Sequence, residues 1–412
     1  MTLKPQAERE AVAITGIGAV TPLGSSFETV SDALLAGRSG VREIDAGDPA
    51  RDARHFAAPV VDIPAPEEAI CGLNAADFQQ LDRFERICLA PLAQALADAG
   101  FAAGRGQRLG LVLGIGAEQL KAWELDYLAG GSRVFEPRRD RTLVQRMARR
   151  LGVDGPAVTV AAACASSGYA MALGRTWINA GWVDACLVGG CDILSPTALA
   201  AFYNLRALSR RSDDPARASR PFDRSRDGFV MGEGGACFLL ERRVAAVARG
   251  ARIRGELSGV GMSSDGSHMV IPSTDPTHAA RAISAALADA GLSPHEVDYV
   301  NAHAAGTPVG DVAEAAAIRL ALGAAADAVP VSSTKSMSGH LISGAAAFEA
   351  VACLAAIERQ TVPPTVNLDE PDVQCPLDHV PHVARPRNVR VTASNSFGFG
   401  GSNLCLVIRR AA

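Results

Sequence analysis

The chain has 412 residues, of which 48% are hydrophobic and 20% are charged, and its formal net charge is −4 at pH 7. This is an ordinary globular composition, and the slight negative charge argues against general nucleic-acid binding. No apolar stretch reaches the length of a membrane span and the first residues contain no apolar signal core, so we expect a cytoplasmic protein with no membrane partner. The nine cysteines are irregularly spaced without a CxxC pair, which disfavours disulfide and zinc sites and favours a reducing compartment.

Strands and helices are predicted to alternate from the start of the chain. An apolar strand over residues 11–18 ends in Gly16-Ile17-Gly18, and a helix follows at about 26–36. Residues 41–66 are rich in Pro, Asp and Ala and are predicted to run over the surface.

A long helix is predicted at about residues 75–99, with a break near Pro91, and the next buried strand lies at 109–116. Residues 118–150 are predicted to be a helical insertion. Its arginines form either a solvated face or a contact surface for an acidic partner, and the sequence leaves both interpretations open. These arginines are residues 133, 138, 139, 141, 146, 149 and 150.

Cys164 stands between an apolar run at residues 158–160 and a stretch of small, helix-forming residues. This order predicts a strand, then the cysteine, then a helix. Amides and dipole at a helix N-terminus stabilise a thiolate, so the position predicts a lowered thiol pKa. A buried, inert cysteine is the ordinary alternative. The placement and two histidine motifs downstream favour a nucleophile.

The second half of the chain repeats the landmarks of the first. Residues 256–261 echo 14–18, and 286–291 repeat the sequence of 95–100. Aligning 329–340 with 158–169 places Lys335 on Cys164 and Gly339 on Gly168, and 389–398 echoes 185–190. Matched landmarks in one order predict an internal duplication, with a first half at 1–250 and a second at 251–412. We expect mainly parallel sheets packed face to face over a shared helix layer.

Three further motifs point to chemistry. His303 follows a predicted strand, and Lys335 and His340 precede a predicted helix at 344–357. Residues 395–403 form a glycine-rich loop that can bring backbone amides close to a substrate oxygen. A single histidine would more often be structural, but two beside a helix-capping cysteine favour catalysis.

A thiol and two imidazoles suit one kind of chemistry. The thiol can carry an acyl group as a thioester, and two neutral imidazoles can donate hydrogen bonds to an enolate oxygen. This combination fits decarboxylation of a malonyl thioester followed by carbon–carbon bond formation. A hydrolase triad would need a carboxylate that orients a histidine, and none is evident.

These motifs resemble those of the β-ketoacyl-acyl carrier protein synthases, the type II elongating condensing enzymes of the thiolase superfamily. The resemblance covers nearly the whole chain, from ITGIGAVTPLG through SRPFDRSRDGFVMGEG, NAHAAGTPVGD and KSMSGH to SNSFGFGGSN. It implies an α/β fold of five layers, αβαβα, built from two duplicated halves. It also implies a dimer, acyl carrier protein as partner, and substrates carried on phosphopantetheine with no cofactor or metal.

The resemblance further implies a role for individual residues. Cys164 would be the acyl nucleophile, with His303 and His340 stabilising the enolate and Lys335 acting around His340, supported by Glu349 and Asp311. The amides of Cys164 and Phe399 would form the oxyanion hole, with Gly398 and Gly400 flanking the Phe399 gate and the 265–270 loop moving beside it. The substrate contacts would be Thr307, Asp265, His268, Ile115 and Phe202, and Arg206 would meet the acidic carrier protein.

Departures from the family pattern concern substrate choice. Ala304-Ala305 replaces the usual Gly-Thr, so one of two threonines expected to contact pantetheine is missing. The segment after Gly116-Ala117-Glu118 is short and arginine-rich, without the apolar stretch that helps to close the acyl pocket at the dimer interface. These changes favour a specialised polyketide or polyene enzyme over general fatty-acid elongation, and they leave open a homodimer or a heterodimer with a chain-length-factor-like subunit.

Competing interpretations have weaker support. The alternative function is that of a subunit with a structural or chain-length-setting role in a ketosynthase–chain-length-factor heterodimer. Chain-length factors lack the nucleophile, whereas Cys164 is present here with both histidines, so the active half of such a heterodimer also fits. A degradative thiolase needs a second active-site cysteine, and Cys405 lies in a predicted core strand. The Gly-x-Gly at Gly16 and Gly18 does not complete a dinucleotide-binding pattern.

Overall fold

The computed structural model describes residues 11–44, 55–101, 107–116, 118–131 and 142–411. Its strands are β1 (Val12–Val20), β2 (Arg42–Ile44), β3 (His55–Ala57), β4 (Leu109–Gly114), β5 (Ala157–Val160), β6 (Ala185–Asp192), β7 (Gly234–Arg242), β8 (Gly255–Ser264), β9 (Tyr299–Asn301), β10 (Pro330–Ser332), β11 (Thr361–Val362), β12 (Asp378–His379), β13 (Arg385–Pro386), β14 (Val391–Gly398) and β15 (Ser402–Arg409). Its helices are α1 (Phe27–Leu35), α2 (Glu68–Cys71), α3 (Ala75–Gln80), α4 (Arg83–Asp98), α5 (Glu118–Leu128), α6 (Leu143–Arg150), α7 (Ser166–Asn179), α8 (Pro196–Asn204), α9 (Arg243–Ala248), α10 (Thr277–Ala290), α11 (Pro308–Leu322), α12 (Lys335–Ser338) and α13 (Ala345–Arg359).

Two five-stranded units share one strand order. The hydrogen-bonded order is β12-β10-β9-β14-β15-β8-β1-β7-β6-β4-β5, so β10-β9-β14-β15-β8 mirrors β5-β4-β6-β7-β1. The first two pairings of each unit are parallel and the last two antiparallel, which confirms the duplication but corrects the expected mainly parallel sheets to mixed ones. A short antiparallel pairing of β1 with β8 joins the units at one edge.

The layers follow the predicted αβαβα order. Helices α7 and α13 lie between the sheets, where each contacts strands of both units, while α4 covers the outer face of the first sheet and α10 and α11 cover that of the second. Three apolar clusters fill the spaces between these layers. The division at residue 250 lies between α9 and β8 and stays a prediction.

In the first unit the Gly-x-Gly motif lets α4 lie directly on β1. A Cβ on Gly18 would come within 2.0 Å of the Pro91 carbonyl oxygen, and one on Gly16 would meet α4 as closely. Asp98, at the end of α4, accepts a hydrogen bond from the Ile17 N–H at 3.0 Å. The Gly-x-Gly motif therefore allows close helix-to-strand packing, and this role explains its glycines without a nucleotide-binding site.

The second unit repeats this contact with α10 on β8. A Cβ on Gly261 would lie 2.0 Å from the Ala282 carbonyl oxygen, and Gly259 meets α10 in the same way. Asp289 accepts a hydrogen bond from the Val260 N–H at 3.0 Å, as Asp98 does from β1. The repeated ALADAG sequence thus encodes one helix-to-strand contact used twice.

Two sequence predictions in the first half need correction. The helix α4 runs through Pro91, and the break lies at Leu81–Asp82 instead, because Asp82 and Glu85 form a capping box that starts α4. The 41–66 segment is not wholly on the surface, because Ala58 is buried where its backbone pairs with that of Met231 and Glu233.

The predicted helical insertion contains α5 and α6. Arg146 bonds to Glu85 at 2.8 Å, Arg149 is exposed and Arg150 is half-exposed. Arginines 133, 138, 139 and 141 lie outside the described residues, so the predicted contact surface stays a prediction. Across the described part of the chain, no helix is both long and apolar enough to cross a membrane.

Replacing Gly18 by alanine is expected to lower the free energy of unfolding by about 1–3 kcal/mol, because the new Cβ would overlap the Pro91 carbonyl and separate α4 from β1. Urea denaturation would measure the loss. Gly116→Ala is the control, because a Cβ there has no neighbour closer than 3.7 Å. Equal stability of Gly18→Ala and the wild type would contradict this packing argument.

Candidate active site

Cys164 lies in a tight turn between β5 and α7. The preceding residue, Ala163, has a φ of 49°, in the left-handed region that residues other than glycine seldom adopt. Ser166 stabilises the turn, because its Oγ accepts a hydrogen bond from the Ala162 N–H at 2.8 Å and donates one to the Ala163 carbonyl at 2.6 Å. The thiol is therefore held where a strand ends and a helix begins.

Two histidines from the second half of the chain meet this cysteine. His303 follows β9, and His340 follows the short helix α12. Their ring centroids lie 5.3 Å apart at an interplanar angle of 81°. The Cys164 sulfur and one nitrogen of each ring all lie within 4.8 Å of one another. The site thus combines one residue of the first unit with two of the second.

Hydrogen bonds assign the tautomer of both imidazoles. The His303 Nδ1 lies 3.3 Å from the Lys335 ammonium, and the His340 Nδ1 accepts from the Ile342 N–H at 3.2 Å. Because an ammonium and an amide N–H can only donate, both Nδ1 atoms are acceptors and both hydrogens are on Nε2. Burial, reinforced by the charge of Lys335, lowers the pKa of both histidines well below 6.5. The pair is therefore neutral and offers two Nε2–H donors.

The same three side chains have the spacing of metal ligands but the wrong protonation for them. An imidazole that binds a metal through Nε2 carries its hydrogen on Nδ1. Here both Nδ1 atoms face donors, and Lys335 adds a positive charge beside His303. These contacts disfavour a cation between Cys164 and the two histidines.

Lys335 is buried and forms an ion pair with Glu349, which is buried as well and accepts from the Ser396 Oγ at 3.3 Å. Burial raises the pKa of Glu349 to about 7, although the charge of Lys335 acts in the opposite direction. The expectation that Lys335 acts on the electrostatics of His340 is met, but its direct contact is with His303. The ammonium touches the Nδ1 of His303, and only its electrostatic field reaches His340.

The expected lowering of the Cys164 pKa is wrong for this site. Burial raises the pKa of the thiol to about 11, because desolvation outweighs the charge of Lys335 and the Phe399 N–H, both of which favour the thiolate. The thiol is consequently protonated at neutral pH, and its proton must leave during acyl transfer.

The glycine-rich loop between β14 and β15 covers the cysteine. The Phe399 N–H favours the thiolate form of Cys164, and the Phe399 ring packs edge-on against Phe202 with centroids 6.0 Å apart. A Cβ on Gly398 would lie 3.3 Å from the Cys164 nitrogen, and Gly400 has a φ of 83°. Glycine at these positions allows the loop backbone to approach the cysteine closely.

Residues 265–270 lie against this glycine-rich loop. Asp265 accepts from the Asn403 Nδ2 at 2.6 Å, and the Met269 carbonyl accepts from the Gly400 N–H at 2.8 Å. His268 accepts hydrogen bonds from two backbone amides of its own segment at 2.9 and 3.0 Å. Because the two loops bond to each other, movement of one would disturb the other; the movement itself stays a prediction.

A cavity of about 260 Å³ reaches Cys164 between these loops and α11. It is lined mainly by apolar side chains, and Phe202, Asp265 and Thr307 contribute to its wall. Arg206, exposed and with a φ of 54°, lies on the wall as well. Its predicted contact with a carrier protein stays a prediction.

Two residues predicted to contact substrate lie outside this cavity. Ile115 follows β4 and packs in the apolar cluster beneath α4, because a large aliphatic side chain there fills the first unit's core. His268 is engaged with its own loop backbone instead of the cavity. The structure gives neither a place in the cavity wall.

Two acidic residues on α11 hold the loop that carries His303. Asp311, buried, accepts from the Thr307 N–H at 3.2 Å. Glu314 accepts from the backbone N–H groups of His303 and Ala304 at 2.8 and 2.6 Å. Burial raises the pKa of Glu314 to about 7. Glu314 was not among the predicted site residues, although its place in the alanine run of α11, three residues after Asp311, was an available signal.

Phe229 is a second residue that the sequence analysis did not select individually. Its ring contacts His340 at 5.3 Å and Phe202 at 5.2 Å between centroids, and Phe202 contacts Phe399. The ring therefore packs one face of the catalytic pocket between the glycine-rich loop and an imidazole.

Two protein-family models match the chain: β-ketoacyl synthase N-terminal domain over residues 9–246 and β-ketoacyl synthase C-terminal domain over residues 254–369. A 3-oxoacyl-[acyl-carrier-protein] synthase 2 of Synechocystis sp. is 39% identical, covering 98% of this chain and 99% of its own. The tetracenomycin polyketide synthase ketoacyl synthase alpha subunit of Streptomyces glaucescens is 36% identical over 97% of both chains.

Solved structures that are similar to this chain are also ketosynthases. The ishigamide ketosynthase/chain length factor superposes with a TM-score of 0.87 at 34% identity, covering 98% of this chain and all of its own. A ketosynthase in complex with its chain length factor from Xenorhabdus doucetiae has a TM-score of 0.77 at 28% identity, with both chains fully covered. The fold is thus that of a thiolase-like condensing enzyme. The chain belongs to the β-ketoacyl synthase family.

Alkylation of Cys164 by iodoacetamide is expected to accelerate about tenfold per pH unit between about pH 7 and pH 9, because a thiol with a pKa of about 11 gains thiolate in that proportion. Mass spectrometry of the Cys164 peptide would follow the reaction, with Cys164→Ser as the control. A plateau within that range would show that the thiol ionises more easily than its burial implies.

Nitrogen-15 NMR of labelled histidine should find His303 and His340 neutral, with the hydrogen on Nε2, at pH 6.5. A lowered pKa means that the neutral form persists as the pH falls through 6.5, where an unperturbed histidine is half protonated. His303→Gln and His340→Gln would assign the signals. A charged ring at that pH, or a hydrogen on Nδ1, would refute the assignment.

Proposed function

We propose that this protein catalyses the decarboxylative condensation of a malonyl thioester on acyl carrier protein with an acyl group held on Cys164, releasing a 3-oxoacyl-carrier protein. The observation that supports it most directly is the meeting of one thiol with two neutral imidazoles whose hydrogens are on Nε2. This set binds an acyl group and stabilises an enolate, and both requirements belong to one reaction.

In the first step, the Cys164 sulfur forms a bond to the acyl carbon and the bond from that carbon to the pantetheine sulfur breaks. The Cys164 proton goes to the departing pantetheine thiolate, so the step needs no external base. The amides of Cys164 and Phe399 are proposed to hold the carbonyl oxygen. Phe399 is suited to this role, since its backbone N–H acts to lower the pKa of Cys164 and so favours negative charge at this position.

In the second step, malonyl-carrier protein loses carbon dioxide and the bonding electrons remain as an enolate. The Nε2–H groups of His303 and His340 donate to its oxygen, and the charge of Lys335 favours the negative intermediate. The enolate carbon then attacks the thioester. A carbon–carbon bond forms, the bond to Cys164 breaks, and the departing thiolate takes a proton from water to restore the resting thiol.

Carrier protein and a second subunit are the proposed partners. Two of the structural neighbours are ketosynthases solved with chain length factors, so a heterodimer has precedent, and a homodimer is the other arrangement that the family resemblance implies. We favour specialised polyketide or polyene synthesis, because Ala305 removes one expected pantetheine contact and the segment after Glu118 is short. The nine free cysteines suit a cytoplasmic location.

The alternative is a subunit with a structural or chain-length-setting role in such a heterodimer. Its test is whether the chain takes up an acyl group by itself. A thiolase reaction has less support, because Cys405 is fully buried in β15 and contributes to the core of the second unit.

Intact-mass analysis after incubation with a panel of acyl-carrier proteins should show an acyl adduct on the wild type and none on Cys164→Ala. Cys71→Ala, which removes another buried cysteine far along the chain, is the matched control. Absence of adduct from every donor, with the protein folded, would support the non-catalytic alternative.

His303→Ala and His340→Ala should each reduce malonyl decarboxylation about 100- to 1000-fold, the usual loss for one donor to a developing oxyanion. Carbon dioxide release from malonyl-carrier protein would measure it, and Cys164→Ala is expected to keep this activity. Full decarboxylation by both histidine variants would show that the roles are assigned wrongly.

A further inference from the structure

The backbone of Thr307 is held from both sides by one buried ion pair. Its N–H donates to the Asp311 Oδ1 at 3.2 Å, and its carbonyl accepts from the Arg226 Nε at 3.1 Å. The same Arg226 nitrogen lies 3.7 Å from the Asp311 Oδ2. The pair therefore fixes the residue at which α11 begins and which lines the cavity.

The Arg226 guanidinium makes all of its contacts within the protein. Its side chain is only 4% exposed, and Nη2 donates to the Pro308 carbonyl at 2.8 Å. Its Nη1 donates to the Asp223 carbonyl at 2.9 Å and to Asp372 at 2.7 Å. Every one of these contacts is to a carboxylate or a carbonyl, so the guanidinium is fully used within the protein. It does not itself reach the cavity wall.

The side chain of Thr307 is left available by this arrangement. Thr307 is the N-cap residue of α11, yet its hydroxyl caps no amide of the helix. A Cβ on Gly310 would lie 2.4 Å from the Thr307 Oγ1, so glycine at that position leaves the hydroxyl the space it occupies. A hydroxyl that is carried on a fixed backbone and does not cap its helix can serve a bound molecule.

We propose that Arg226 is a positioning residue for carrier-borne substrates: with Asp311 it holds Thr307 so that the threonine hydroxyl, in the space left by Gly310, bonds the pantetheine arm. This inference rests on the proposed function, because the arm is the part of the carrier that would enter the cavity. Arg226 acts on the arm through Thr307 and has no contact with the reacting carbon.

The test compares two acyl donors that differ only in the arm. Acyl-pantetheine carries amides and hydroxyls that Thr307 can bond, whereas the same acyl group on ethanethiol has none. Arg226→Gln is expected to reduce kcat/KM for acylation of Cys164 by acyl-pantetheine about tenfold, the usual worth of one hydrogen bond, and to leave the ethanethiol donor nearly unchanged. Mass analysis of the protein over time measures both rates.

Thr307→Val and the double variant Arg226→Gln with Thr307→Val complete a cycle. If Arg226 acts through Thr307, the double variant loses no more than Thr307→Val alone, because the second change has nothing left to position. Independent, additive losses would overturn the proposal.

Gly310→Ala keeps the test valid if Arg226→Gln does not fold, because it leaves the ion pair intact. The added methyl would displace the Thr307 hydroxyl and should reproduce the loss for acyl-pantetheine alone. Arg319→Gln is the matched control, since Arg319 bonds a carboxylate and a carbonyl at the other end of α11, both at 2.8 Å.

Equal slowing of both donors by Arg226→Gln and by Gly310→Ala would mean a merely structural role and would overturn the proposal. The proposed function fails separately, when the wild type takes up no acyl group from either donor. A wild type that prefers acyl-pantetheine, with variants that keep this preference, refutes the positioning role alone.

Discussion

The site depends on a charge that the protein keeps inside itself. Lys335 and Glu349 are both almost inaccessible, and their pairing compensates for the water that each has lost. Removing one partner of such a pair typically costs about 3–5 kcal/mol, because the other is left buried and unpaired. The ammonium in turn fixes the hydrogen on the far nitrogen of His303 and helps to keep both imidazoles uncharged. The buried ion pair, which lies outside the cavity, thus determines which nitrogen of His303 carries the hydrogen.

Duplication places this charge opposite the thiol. Strands β5 and β10 occupy equivalent positions in their units, and the residues that follow them are Cys164 in one unit and Lys335 in the other. The duplication therefore places a thiol in the first half and an ammonium in the second at equivalent positions of the two units. Because the two units meet at the helices between their sheets, the candidate active site lies where the units join.

The sequence was informative where a residue's environment is set by its neighbours along the chain. The repeated ALADAG sequence revealed the duplication because Asp98 and Asp289 make the same bond to their strands. The αβαβα order followed from the strand and helix pattern and from the family resemblance. Pro91 was misjudged because a proline within a helix can be tolerated, while the Asp82–Glu85 capping box marked the true start.

Contacts between distant segments could not be predicted in this way. Whether Lys335 touches His303 or His340 depends on how α12 lies against the loop after β9. The pKa of Cys164 is raised by burial, to which loops far along the chain contribute, and the start of a helix next to the cysteine does not reveal this. Ile115 has a sequence position near the cavity and a side chain in the core. In each case the outcome depends on packing between segments that are distant in sequence, and the local sequence pattern does not reveal that packing.

The tautomers of the two imidazoles have a consequence for the lifetime of the acylated protein. Hydrolysis of a thioester requires that an attacking water lose a proton to a nearby base. Both histidines keep their Nδ1 atoms occupied by Lys335 and Ile342, so each ring has only an Nε2–H donor left to offer at the site. Water beside Cys164 therefore meets donors where it would need an acceptor. Hydrolysis of an acyl group on Cys164 is therefore slowed by the lack of a base as well as by burial, so the thioester persists until malonyl-carrier protein binds.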